Sequence, residues 1–226
     1  MLSWKTSLRK ALKPPLPGLA AQEKMAPSVR LRRHDPGDAT EAIQSSVLIL
    51  LYPSEEGLKI PFIQRPLYQG PHSGQISLPG GKREKEDQNN WETALRETRE
   101  ELGINTDSIE HIGELTQIYI PNSHFFVSPQ VGYIHKNLHF NPSPFEVSEV
   151  IEASAHHLLT QPIKTKKIHH IQGITIEAPY YDANGKHIWG ATAMILSELI
   201  EVFKARSPYW ANALRSCNAH TSQESL

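Results

Sequence analysis

The sequence predicts an α/β protein of layered architecture, and three observations carry that reading. "IQSSVLILLYP" from Ile43 and "FFVSPQVGYIH" from Phe125 are apolar, β-branched or aromatic runs with the composition of strands. Two separated segments, Trp91–Leu102 and Ala191–Phe203, repeat apolar residues at helical spacing. Strands that surround separated helices bury their faces best as layers, with helices covering a sheet.

The elements follow in chain order. "MLSWKTSLRKALKPPLPGLAAQEKM" is basic, with no acid before Glu23. The preferred reading is a short amphipathic helix, stopped by Pro14-Pro15 and packed on the domain. The alternative is an organelle targeting peptide. A polar connector, "APSVRLRRHDPGDAT", leads to the first strand, which Pro53 ends. "LKIPFIQR" is a second strand across a Glu55-Glu56-Gly57 turn, and the glycine-rich stretch from Pro66 to Gly81 is a structured loop or strand edge. Asn89 opens a helix through an Asn-x-x-Glu capping box with Glu92. Trp91, Ala94, Leu95, Thr98 and Leu102 form its core face, and Gly103 stops it. "HIGELTQIYI", "FFVSPQVGYIH", "EVSEVIEAS", "KKIHHI" and "GITIEAPYY" are further strands, Asp182–Gly185 is a turn, and a second long helix spans about residues 191–204. The expected organisation is an N-terminal extension over 1–40, a folded domain over 41–206 and a tail over 207–226.

Composition narrows the function. The chain has 226 residues and a formal net charge of -1, so no global field favours nucleic acid or an anionic membrane. Its longest apolar run, Val47–Tyr52, is far too short to span a bilayer. The single cysteine, Cys217, builds neither an internal disulfide nor a thiolate zinc site and fits a reducing compartment, so a cytoplasmic location is expected. The histidine pairs His156-His157 and His169-His170 are adjacent, and neighbouring side chains diverge, so they do not point to a metal centre.

The charge that matters is local. On the first long helix Glu97, Glu100 and Glu101 fall within an arc of about 100°, beside the apolar stripe. Like charges at this spacing repel. A divalent cation would reverse the sign, and carboxylate oxygens are the ligands that Mg²⁺ and Mn²⁺ prefer. A solvated acidic face is the other reading, since Arg96 lies within reach of Glu92 and Glu100. Gly80-Gly81 precedes the helix by a short loop. A glycine turn permits close backbone approach, and its exposed N–H groups suit a diphosphate beside a cation.

Taken together, "GGKREKEDQNNWETALRETREELGI" resembles the Nudix box. Gly81, Arg96, Glu97, Glu100, Glu101, Gly103 and Ile104 match its signature. Asp87 stands where the first glutamate is expected, with eight rather than seven residues separating it from Arg96, and Thr98 occupies an apolar slot. Both departures are similar to the coenzyme A diphosphatase branch. That branch's upstream signature resembles "PFIQRPLYQGPHSGQISLPGG", where Arg65, Gly74, Pro79, Gly80 and Gly81 match while Gly70 replaces an arginine. "HSGQIS", His72 to Ser77, and "IWGATAMIL", Ile188 to Leu196, resemble two further runs of the branch.

The resemblance implies an α/β/α sandwich around a mixed β-sheet, with the box as loop–helix–loop, so that 41–206 is a Nudix hydrolase domain. It implies metal-assisted hydrolysis of a small-molecule diphosphate with Mg²⁺ or Mn²⁺. Coenzyme A or acyl-CoA is the substrate, and neither nucleic acid nor membrane is a partner. ADP-ribose, NADH or dinucleoside polyphosphates are the rival substrates, and a catalytically silent binding module is the rival of another class. Glu97, Glu100 and Glu101 are the expected metal ligands, with Glu97 and Glu100 also catalytic. Arg96 orients the glutamates. Arg65, His72, Gly74, Gly80 and Gly81 are expected to bind substrate. Glu149 is a candidate general base, set against its reading as a solvent-facing strand residue. The oligomeric state is left open, a homodimer included.

Overall fold

The structure is a computed structural model and describes residues 4–28, 42–69, 72–169 and 175–205. The connector beyond residue 28, Gly70, Cys217, the 207–226 tail and the expected domain boundaries at 40/41 and 206/207 lie outside the described residues.

The chain begins with helix α1 (Trp4–Ala11), helix α2 (Gly18–Gln22) and a 3-10 turn over Glu23–Met25. Strands β1 (Ile43–Ser54), β2 (Gly57–Gln64), β3 (Ile76–Ser77) and β4 (Gly80–Lys82) lead to helix α3 (Asn90–Leu102). Then come β5 (Glu110–Glu114), β6 (Ile118–Ile120), β7 (Phe125–Tyr133), β8 (Glu149–Ser154) and helix α4 (Ala155–Thr160). β9 (Lys164–His169), β10 (Thr175–Ala183) and β11 (Lys186–Trp189) precede the last described helix, α5 (Gly190–Lys204).

β1 to β8 form one mixed sheet. β1 runs parallel to β7, from Ile43 opposite Phe125 to Leu51 opposite Tyr133. The other pairings, among them β1 with β2, β1 with β4, β5 with β7 and β2 with β8, are antiparallel. β9–β10–β11 form a second, three-stranded sheet.

Alternation along the strands separates two cores. Leu48, Leu50 and Ile63 face α3, which adds Ala94 and Leu102. Ile49, Leu51, Ile60 and Phe62 face the opposite way, toward α5 and the N-terminal helices. The α/β/α sandwich with a mixed sheet is therefore the observed architecture.

α1 belongs to the second core. Leu8, Ala11 and Leu12 are buried there, and the Trp4 ring meets Tyr133 edge-on at 4.9 Å. Lys5 and Arg9 both pair with Glu110 of β5. Removing residues 1–13 deletes this contact while leaving the sheet intact, so the melting temperature is expected to fall by about 5 °C or more. A melting curve that superimposes on that of the full chain would show that the helix adds nothing.

Candidate functional site

α3 is fixed at both ends. The Asn89 side chain accepts from the Glu92 N–H at 3.0 Å, and the Glu92 carboxylate accepts from the Gln88 N–H at 2.8 Å. Gly103 closes the helix at φ 63°, its N–H donating to the Arg99 carbonyl. A Cβ at Gly103 would lie 2.0 Å from the Asn141 carbonyl oxygen, so the position also needs glycine's bulk. Thr98 is buried in the apolar stripe. Its hydroxyl has no hydrogen-bond partner, so it packs there through its methyl group.

This seating grades the three glutamates. Glu101 is only 4% exposed, Glu97 is partly buried and Glu100 is open to solvent. β4 pairs with β1 and brings the glycine pair against the helix, and the Gly80 N–H donates to Glu101 Oε2 at 2.8 Å. A Cβ on Gly81 would sit 2.5 Å from the Glu97 carboxyl carbon and both its oxygens. The double glycine thus lets two helix carboxylates lie against strand backbone.

The electrostatics follow from that burial. Desolvation lifts the Glu101 carboxyl to about 8, against the Gly80 hydrogen bond and the Arg65 charge, with Glu97 and Glu146 raising it further. Burial also raises Glu97, which Arg96 opposes and Glu100 and Glu146 reinforce. Arg96 is the hub. Its Nε and Nη2 donate to Asp87 Oδ1 and Oδ2 at 3.1 and 3.0 Å. Its Nη1 lies 3.0 Å from Glu97 Oε1 and 3.1 Å from Glu100 Oε2. Asp87 is held at about 2, chiefly by that guanidinium. The loop carrying Asp87 is closed on itself, since the Glu84 N–H donates to Asp87 Oδ2 and Arg83 donates to the Asp87 and Gln88 carbonyls. The extra residue before Arg96 is absorbed there, and the aspartate still meets the arginine.

The NUDIX domain profile matches residues 42–170, more than half of the chain. The chain belongs to the Nudix family. It is 30% identical over 194 residues to Nudix hydrolase 15, mitochondrial, of Arabidopsis thaliana, covering 83% of this chain and 66% of that protein. It is 30% identical over 215 residues to Nudix hydrolase 22, chloroplastic, of the same plant, covering 92% of this chain and 66% of that protein. The chain thus spans just under two thirds of the length of either relative. Among solved structures, a MutT/nudix family protein from Enterococcus faecalis aligns over 90% of this chain and 76% of its own, at 16% identity and a TM-score of 0.47.

The remaining expected Nudix site residues divide into two groups. Arg65, His72 and Gly74 lie on the loop between β2 and β3. The Arg65 N–H donates to the Gln75 carbonyl, the Gly74 N–H to the Pro66 carbonyl, and His72 Nδ1 meets Gln75 Oε1 at 3.0 Å. This loop runs on through Ile76–Ser77 to the glycine pair, and the Arg65 charge is felt at Glu101.

Glu149 is not brought to this cluster. Its neighbour Val150 packs into the α3-side core with Ile63, so alternation turns Glu149 and its cross-strand partner Gln64 to the other sheet face. There the Lys186 ammonium donates to Glu149 at 2.6 Å and to Gln64 at 3.0 Å. Glu146, which sequence reasoning passed over, sits where its charge raises both Glu97 and Glu101. Its loop is tied to the end of α3, with the Asn141 N–H on the Leu102 carbonyl and the Ser143 N–H on the Glu101 carbonyl. The strand expected from Glu146 begins instead at Glu149. Pro142 and Pro144, which frame the intervening turn, were the signal available in the sequence.

Nudix hydrolases generally use divalent metals such as Mg²⁺ or Mn²⁺. The residues present fit such an ion in donor chemistry. Hard carboxylate oxygens, mutually repelling and raised by burial, lie against the strand backbone, where the absence of a Cβ on Gly81 leaves room for Glu97. Among the described residues no three acids are yet gathered at one point. Arg96 draws Glu97 and Glu100 to itself, and Gly80 holds Glu101.

Proposed function

We propose that this chain hydrolyses the diphosphate of coenzyme A and its thioesters, giving 3′,5′-ADP and 4′-phosphopantetheine or its acyl form. Diphosphate chemistry is supported by the buried carboxylates at the glycine turn. The substrate is supported by one spatial fact. The two segments that resemble the coenzyme A branch, Phe62–Gly81 and Ile188–Leu196, are far apart in sequence but meet in the fold, where Thr192 Oγ1 donates to the Ile76 carbonyl at 3.3 Å. The box serves a diphosphate common to many substrates, so selectivity must come from contacts outside it, and these segments lie beside its glycine turn.

In this reading Glu97, Glu100 and Glu101 hold Mg²⁺ or Mn²⁺, which when bound neutralises phosphate charge and acidifies water. Arg96, anchored on Asp87, orients Glu97 and Glu100. The backbone at Gly80 and Gly81 admits the diphosphate, and Arg65 offers a cation to a substrate phosphate. Water adds to phosphorus, the bridging P–O bond breaks, and Glu146 accepts the water's proton. Glu149 faces the wrong side of the sheet for that task. We place the protein in the cytoplasm, a location that imaging of the tagged full chain would test.

The test is a substrate panel with Mg²⁺ or Mn²⁺, read by product mass. Coenzyme A and its thioesters are expected to give the highest kcat/KM. Faster cleavage of ADP-ribose or NADH would overturn the assignment, and metal-dependent release from none of them would leave a binding module. Arg65→Ala is expected to raise KM for coenzyme A about tenfold or more, and less for 3′-dephospho-coenzyme A, because a charge-assisted hydrogen bond contributes about 1.5–3 kcal/mol. Equal losses on both substrates would make Arg65 a brace for its loop.

A further inference from the structure

The three-stranded sheet has an inner and an outer face. Tyr181, Ala183 and Ile188 turn inward to the α5-side core. By alternation Tyr180 turns outward with its cross-strand partners, Lys164 of β9 and Trp189 of β11. The Tyr180 and His187 rings lie 4.1 Å apart between centroids and 35° from parallel, close to a stack. The Lys166 ammonium stands 5.8 Å from the Tyr180 centroid and 5.6 Å from that of Trp189. Its pKa is lowered by burial alone, with no carboxylate among the causes. Asp182, an acid on this face, accepts the Gly185 N–H within its own turn.

This face is connected to the proposed site through one hydrogen bond and a short run of chain. Trp189 ends β11 and leads directly into α5, whose Thr192 hydroxyl binds the Ile76 carbonyl. Ile76 belongs to the strand that leads to Gly80. An aromatic surface, with a cation that pairs with no carboxylate among the described residues, is therefore joined through α5 and Ile76 to the segment that leads to the glycine turn. An aliphatic chain would use the rings but not the ammonium, and inorganic phosphate would use the ammonium but not the rings. A purine nucleotide uses both.

We propose that the outer face bearing Lys166, Tyr180, His187 and Trp189 binds the purine nucleotide half of the substrate, the base stacking on the rings while Lys164 and Lys166 meet a phosphate. This rests on the reading that the substrate is a nucleoside diphosphate derivative.

The experiment is calorimetric titration of the full chain with adenosine 3′,5′-bisphosphate in EDTA, so that neither metal nor turnover enters. Wild type is expected to bind it without metal. Lys166→Ala and Tyr180→Leu are expected to bind about tenfold more weakly or worse. In turnover both variants should raise KM with kcat nearly unchanged. Melting curves establish that each variant is folded, and Lys166→Ala, a surface change, keeps the test available where an aromatic replacement unfolds.

Folded variants with wild-type affinity and KM would overturn the site, as would weakened binding of 4′-phosphopantetheine in place of the bisphosphate. Failure of the functional reading looks different. No diphosphate would then be hydrolysed at all, while the effect of Lys166→Ala on bisphosphate binding in EDTA would persist.

Discussion

Glu101→Gln is expected to lower kcat/KM for the preferred diphosphate by about a thousandfold or more while leaving the fold intact. The substitution keeps the shape of the side chain and an oxygen for the Gly80 N–H, but removes the charge that is nearly buried beside Glu97. Stability gives an independent check. The folded-state pKa of Glu101 is raised from 4.5 to about 8. A carboxyl raised in this way contributes stability that is fully present below its unfolded value and is lost as pH rises through its folded value. In chelator, wild type should therefore lose stability relative to the glutamine variant between about pH 5 and pH 8. Added Mg²⁺ should raise the melting temperature of wild type more than that of the variant, since binding to the folded state alone stabilises it. Wild-type turnover by the variant in saturating Mg²⁺ would exclude Glu101 as a ligand. Parallel pH–stability curves would exclude the charge as buried.

Legibility tracked how local each cause was. α3 could be read from the sequence because its cap, apolar spacing and terminal glycine all act within a few residues, and the structure places Asn89 and Gly103 at its two ends. The long strands β1 and β7 were equally plain. α2 and α4 were missed because five and six residues carry too little periodicity to register. β11 was missed because four residues of mixed polarity are strand-like only through pairing with β10. At the site, the clustering of Glu97, Glu100 and Glu101 follows from helical geometry alone. The choice between Glu146 and Glu149 depends instead on where β8 begins, which leaves Glu146 in the turn before it, and on the sheet face that Glu149 takes, which one residue of register would reverse. Likewise, the meeting of Lys166 with Tyr180 and Trp189 is a product of strand order, which no local pattern encodes.

Glu198→Ala is expected to destabilise the protein by about 3–5 kcal/mol, although Glu198 lies far from the glutamate cluster in the sequence and on the other sheet face. Its side chain is fully buried on α5 and accepts from four neutral donors. Oε1 takes the Gly18 N–H at 3.0 Å, the Thr116 N–H at 3.3 Å and the Thr116 hydroxyl at 2.7 Å, and Oε2 takes the Gln22 amide at 2.9 Å. One carboxylate therefore joins the start of α2, the β5–β6 connection and α5. Alanine leaves those donors without their acceptor in the core, a loss of about 1–3 kcal/mol for each that water fails to reach. Glu198→Gln should lie between. It retains one oxygen for Gly18 and Thr116 but turns an N–H₂ toward the Gln22 amide, and rotating Gln22 to accept would give up its 3.0 Å bond to the Thr116 carbonyl. Urea denaturation is the measurement, and an alanine variant with the wild-type midpoint would mean that the pocket repacks or floods at no loss. At low temperature the surviving folded alanine variant should turn over substrate at the wild-type rate. A fall in kcat per folded molecule would instead reveal that the α5 core is coupled to α3 through the sheet between them.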